Sequence, residues 1–236
     1  MKKMQTRNES LRSQLLKMSR LSQRAVDYSI KGYELGMPEF SREVLSKEQE
    51  FRDLRLSIVN RGRMVLPKGM PISADSRFTC SALRICQALH CSYNAAYAIA
   101  VETIHGDEAA RRVETSIVLD LGKFVNSLVR LSTVALFNED LQYARLALRN
   151  AEDRLWFNLS LRQAQRVLDS RSKTQANFEL AIVENLSRIA ERSYEVAHET
   201  AMWLEGADCF NPARKRLPLF FGVSLSMRST EQAGAA

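Results

Sequence analysis

Only 9 Gly and 5 Pro interrupt the 236 residues, and two of the prolines lie in the last 25, so long stretches hold no residue able to break a helix. A turn-rich β architecture needs such residues at every reversal, whereas long helices need few. Within these stretches apolar side chains recur at three- and four-residue spacing, which puts them on one side of a helix. The chain is therefore expected to be all-α.

The spacing predicts six helices. The first runs over about 9–36 and carries Leu11, Leu15, Met18, Ala25 and Tyr28. Gly36 and Met37 break it, and Pro38 suits the first turn of the second helix, where its missing N–H costs nothing. That helix is predicted to run unbroken to about residue 65, with Phe40, Val44, Phe51, Leu54, Ile58 and Val65 inward. Pro67, Gly69 and Pro71 then enforce a loop over 66–70. A third helix opens near Ser73, turns Phe78, Ala82, Ile85, Leu89, Ala96 and Ile99 to the core, and stops at 105–107.

The second half repeats the plan. Ile117, Leu121, Phe124, Leu128, Leu131 and Ala135 mark the fourth helix, and Asp140 is the expected N-cap of the fifth, which carries Ala144, Leu148, Ala151 and Leu155. The sixth places Phe178, Ile182, Leu186, Ile189 and Val196 inward and stops at Gly206. Phe40 aligns with Leu141, and Asn94 with Glu191, at nearly the same offset, which points to an internal duplication of a small bundle. The expected architecture is two tandem three-helix bundles of up-down helices, 9–106 and 107–206, followed by a flexible tail, 207–236. Residues 11–105 are expected to close a core of their own.

Composition narrows the function. A formal charge of +7 invites a nucleic-acid reading, but Lys and Arg alternate with Glu and Asp along the helices, and Arg214, Lys215 and Arg216 form the sole tight basic run. No recognition-helix pattern accompanies them, so no nucleic-acid partner is expected, and only a weak pull towards anionic membranes remains. Cys80, Cys86, Cys91 and Cys209 show neither a C-x-x-C pair nor zinc-finger spacing, as expected of reduced intracellular thiols. The first seventeen residues lack the apolar core of a signal peptide, and no apolar run approaches a bilayer span. A cytoplasmic protein, touching membranes only through partners, is expected.

Few residue groups could carry chemistry. Glu191, Glu195 and His198 share a helical face and are weak candidates for a divalent metal; a polar, solvent-facing stripe is the better reading, because a site needs three or four converging ligands. Glu102 with His105, and Glu195 with His198, form two E-x-x-H pairs of the kind found in di-iron carboxylate bundles. Glu102 and His105 stand at a helix end, however, so chance placement is favoured. A nucleophilic triad, a phosphate-binding Gly loop and a dinucleotide fingerprint are all absent.

The stretch from Pro71 through Asp75 and Arg77 to Ile85 reads as a helix start, with Ser73 as cap and Asp75 at the positive end. It also resembles the P-v-A-s-D-L-R pattern that opens the third helix in the PhoU family of phosphate-transport regulators. Leu15, Leu16, Lys17 and Met18 look like that family's opening L-L-x-M, residues 135–145 are similar to its a-F-x-x-D-x-x-x-A-r, and residues 184–191 to its n-L-E-R-I-G-D. The order and spacing of these segments carry the resemblance over 11–206. It implies a non-enzymatic, homodimeric regulator that contacts a phosphate ABC transporter and a sensor histidine kinase and keeps phosphate-starvation genes off when phosphate is plentiful. An accessory protein of a single-component phosphate carrier is the alternative. Each third helix of the family bears an E-x-x-x-D pair able to hold metal. The matching positions here are His90 with Asn94 and Ser187 with Glu191, so no cofactor is expected to be required and the divalent-metal chemistry is not assumed.

Overall fold

The computed structural model describes residues 2–65, 74–105, 116–152 and 173–206, and all of these are helix or the short turns between helices. Seven helical segments result: α1 Lys2–Leu35, α2 Pro38–Ser46, α3 Glu48–Val65, α4 Ala74–His105, α5 Ser116–Asn138, α6 Leu141–Glu152 and α7 Lys173–Leu204. The loop over 66–70, Pro71, Leu155, Cys209, the boundary at 106/107 and the tail at 207–236 lie outside the described residues. No described helix is long and apolar enough to cross a membrane.

The predicted second helix is two segments, a correction with a local cause. The Ser46 hydroxyl donates to the Glu43 carbonyl at 2.8 Å, taking the acceptor that the Lys47 N–H would use in a continuous α-helix. The Lys47 N–H bonds Val44 O instead, at 3.2 Å, and regular bonding resumes when the Phe51 N–H reaches Lys47 O at 3.0 Å.

The other ends follow sequence chemistry. Gly36 takes a left-handed φ of +62° after α1, and Pro38 is the first residue of α2. Between α5 and α6, Asp140 caps as expected: its Oδ1 accepts the Gln142 N–H at 2.7 Å and the Tyr143 N–H at 3.3 Å. Gly206, at φ +68°, follows α7.

α4 and α7 form the centre, antiparallel and in the most extensive contact of any pair. α1, α2 and α3 pack against α4, α5 and α6 pack against α7, and α1 also reaches α5. The predicted inner residues of α4 and α7 are all buried. On α5 the buried face is wider than the predicted stripe: Leu121, Leu128 and Ala135 are buried as expected and Val118, Val125, Val129 and Leu136 join them, while Phe124 and Leu131 are half-buried. The reason is that α5 lies against both α1 and α7, so its apolar face must serve two neighbours.

The first three predicted helices do not close a separate core. Leu15 and Met18 of α1, Phe51 and Ile58 of α3, Ile85 and Ile99 of α4, Leu121 and Leu128 of α5, and Ile182 and Leu186 of α7 belong to one continuous apolar cluster. Each three-helix set leaves an apolar flank of its long last helix, and the two flanks cover each other.

Candidate functional site

The α4–α7 seam concentrates the ionisable groups. At one end Phe78 of α4 meets Trp203 of α7, ring centroids 4.9 Å apart. The Arg12 guanidinium of α1 lies 5.7 Å from the first ring and 5.4 Å from the second, and it ion-pairs with Glu139. Four segments are tied at this end by one cation.

One turn inward, Arg84 Nη1 of α4 is 3.4 Å from Glu199 Oε1 of α7. Glu199 is buried, and burial pushes its carboxyl up to about 6, against the pull of Arg84 and of a hydrogen bond from Ser81. His198 Nδ1 stands 3.9 Å from the same carboxylate oxygen. Burial, then Arg84, lowers the basicity of His198, whose ring lies parallel to Tyr194.

The weak metal candidates lie along this seam and do not converge. Glu195 is engaged by Arg192, His198 leans towards Glu199, and burial raises Glu191 above the usual carboxylate range. Among the described residues no three His, Cys, Asp or Glu side chains form a group able to hold a metal ion. Glu102 is half-buried and His105 exposed at the end of α4.

A second cluster lies where α3 crosses α4. Phe51 stacks on Tyr93 at 4.0 Å and lies parallel to His90 at 6.5 Å, and the Tyr93 hydroxyl donates to Val44 O at 2.7 Å. His90 is half-buried. Its Nδ1 is sealed from solvent without a hydrogen-bond partner among the described residues, and burial followed by Arg55 and Arg52 depresses its basicity. Arg55 Nε is likewise sealed and unpartnered, while Arg52 pairs with Glu48.

These surroundings decide whether the E-x-x-x-D positions suit a metal. Asn94 is exposed, Ser187 is buried, and the charges that act on His90 are two guanidiniums, both of which disfavour a cation. A hard cation needs converging oxygens and negative charge. The residues present do not fit one. Of the helix-start segment, Asp75 is in the first turn of α4, and the Arg77 guanidinium lies near Gly206, past the end of α7.

Sequence reasoning missed Glu199 and Arg84, and it places Arg55 on an exposed basic stripe with Arg61 and Arg63, whereas Arg55 is half-buried. The available signal for Glu199 was its place on the apolar flank of α7, one turn after Val196 and one turn before Trp203. The sealing of Arg55 Nε gave no signal in the sequence, where the residue falls off the apolar stripe of its helix.

No protein-family model matches the chain, and no curated protein matches it. Solved structures do. PhoU from Pseudomonas aeruginosa superposes with a TM-score of 0.75 at 16% identity, over 86% of this chain and 99% of that one. The phosphate transport system regulatory protein PhoU from Streptococcus pneumoniae gives 0.74 at 17% identity, over 86% and 97%. With the helices, their order and these superpositions in agreement, the chain is PhoU-like in fold.

Proposed function

We propose that this protein is a regulator of phosphate homeostasis that acts by association rather than by turning over a substrate. The observation that carries the reading is the fold shared with a phosphate transport system regulatory protein over most of both chains. The ordered sequence segments at 71–77, 135–145 and 184–191 support it independently, since a shared fold alone does not fix a function. On this reading the protein is a cytoplasmic homodimer built from two three-helix repeats. It needs no cofactor, and it restrains phosphate uptake and starvation signalling through contacts with a phosphate ABC transporter and a sensor histidine kinase.

The surface chemistry suits such a role. Leu56 and Met64 on α3, and Tyr143 and Leu146 on α6, are exposed apolar side chains on helices whose other faces are buried. Helical faces with apolar points among charges are what helix-to-helix recognition uses.

Deleting the gene and measuring phosphate uptake together with phosphatase output in high phosphate tests the reading. Phosphatase output is expected to rise and uptake to lose its restraint. Altered uptake with unchanged phosphatase output would move the role to a phosphate carrier's accessory protein, and no change in either would overturn it.

A further inference from the structure

Among the described residues three helix ends turn through a left-handed φ: Gly36, Gly206 and Glu139, the last at +53°. Glycine suits such a position because it has no Cβ to crowd the backbone, and glutamate does not. The Asp140 N–H reaches back across Glu139 to Ala135 O at 3.1 Å, so the turn itself asks nothing of the side chain there. What glutamate adds is its carboxylate, which ion-pairs with Arg12 of α1. Beside that pair a cavity of 350 Å³ opens along the outer face of α1, lined by Glu9, Arg12, Ser13, Leu16, Lys17 and Arg20. Two of these side chains reach the end of α5: Arg12 holds Glu139, and the Arg20 guanidinium stands 4.5 Å from the centre of the Phe137 ring. Lys17 pairs with Glu50 of α3 at 2.8 Å, and Arg20 has no ion-pair partner among the described residues.

The lining residues fall in two rows of four-residue spacing, Glu9, Ser13 and Lys17 in one and Arg12, Leu16 and Arg20 in the other. The trough between such rows is what the ridge of a second helix fills. Exposed Ser13 leaves it open, half-buried Leu16 gives it an apolar floor, and Arg12 and Arg20 stand two turns apart at its ends, about 12 Å along α1. Three cations against the single carboxylate of Glu9 favour a negative occupant, but Glu50 and Glu139 stand beside them, so a polyanion meets carboxylates that repel it. Separate carboxylates that exchange one for one with Glu139 suit the site better. We propose that this trough docks an acidic, amphipathic helix of a partner protein, with an apolar side chain on Leu16 and carboxylates at Arg12 and Arg20, and that Glu139 is its internal competitor, a latch displaced on docking. The trough stands on its own geometry. That its occupant belongs to a phosphate system rests on the regulatory reading above.

The test uses the full chain and a fluorescein-labelled, alanine-rich peptide of about 18 residues, long enough to hold a helix, with one Leu midway between two Glu placed two turns apart. Fluorescence anisotropy at constant ionic strength is expected to show saturable binding, weakened by about tenfold or more when both Glu are replaced by Gln. Arg20→Gln, which removes one ring contact from the fold, should weaken binding by a similar factor. Ser13→Tyr, which fills the trough without changing its charge, should weaken it too. Glu139→Gly keeps the left-handed turn and frees Arg12, so it should tighten binding by about threefold or more. Exposed Arg63→Gln on α3 should behave as wild type.

Thermal unfolding checks that each variant is folded, and Ser13→Tyr stands in for Arg20→Gln if the latter is not. A parallel arm measures co-sedimentation with phosphatidylcholine vesicles with and without phosphatidic acid. Binding to phosphatidic acid that Arg20→Gln reduces, with no preference for the Glu peptide over the Gln peptide, assigns the face to a membrane and overturns the proposal. Equal losses in Arg20→Gln and Arg63→Gln overturn it as well, marking a diffuse basic surface, and so does the absence of saturable peptide binding in both the wild type and Glu139→Gly. Peptide binding that Glu139→Gly leaves unchanged overturns the competition by Glu139. The gene-deletion phenotype is read separately, so the trough and the regulatory role can fail independently.

Discussion

Glu199 is 8% exposed, on the flank of α7 that faces α4, where water cannot hydrate a carboxylate fully. Its carboxyl is raised from 4.5 to about 6, so through that interval the folded protein holds a proton that the unfolded chain has released. Stability contributed by this group is complete below the lower value and is lost as pH rises through the upper one, a difference of about 2 kcal/mol. Glu199→Gln is thus expected to match the wild type in acid and to exceed it by as much as ~2 kcal/mol at neutral pH, because Arg84 is largely solvated and loses little. Urea unfolding of both proteins across pH reads this directly, and a gap that does not widen between the two values would show that Glu199 is hydrated. Such residues mark where sequence reading stops. His90 was legible as a polar residue beside an apolar stripe, but its expected companion Asn94 points to solvent, and its actual neighbours Arg52 and Arg55 come from another helix.

Helices were the most legible level, because the periodic burial that builds them is written locally: α4 and α7 bury every residue assigned to their inner stripes. The break at Lys47 was not legible, since it turns on whether one serine hydroxyl or one backbone N–H takes the Glu43 carbonyl. Contacts between elements give sharper tests. A Cβ on Gly62 of α3 would stand 2.6 Å from Leu83 Cδ2 and 2.9 Å from its Cγ, so the whole end of that side chain must move. Gly62→Ala gains about 1 kcal/mol in helix propensity but forces an overpacking cost of about 1–3 kcal/mol. The variant should be destabilised, and Leu83→Ala in the same chain should remove the clash, so that the pair costs less than the two single changes added together. Thermal or urea unfolding of the three variants checks this; strict additivity would mean that α3 and α4 do not approach so closely. At the α5–α6 corner, Asp140→Ala should cost about 1 kcal/mol by leaving two N–H groups of α6 without their cap, and Asp140→Asn should restore most of it.

At the scale of the whole molecule the described helices share one large apolar cluster, with a small second one of Ala135, Ala144 and Ala201 where α5, α6 and α7 meet, and this level was only half legible: the repeat could be aligned, but which flanks of α4 and α7 remained to cover each other depends on packing. The large cluster occupies the centre, and exposed apolar side chains remain on the outer faces of α3 and α6, the faces that the proposed regulatory role would use. Arg61 and Arg63 are exposed on α3 and can be changed without touching the core, whereas Arg55, with its sealed Nε, cannot. Surface changes of this kind usually move stability by no more than about 0.5 kcal/mol. The pair Arg61→Glu and Arg63→Glu adds like-charge repulsion against an acidic partner face and should reduce pull-down of transporter and kinase components while raising phosphatase output in high phosphate. Replacing Glu102, His105 and His198 with Ala should leave both readouts near wild type: His105 is exposed at a helix end, and the described carboxylates near His198 do not complete a metal-holding group with it. Thermal unfolding of both sets separates lost binding from lost folding. If the histidine and glutamate set abolishes regulation while the folded charge-reversal pair retains it, association through this face is wrong and a metal-dependent activity becomes the better account.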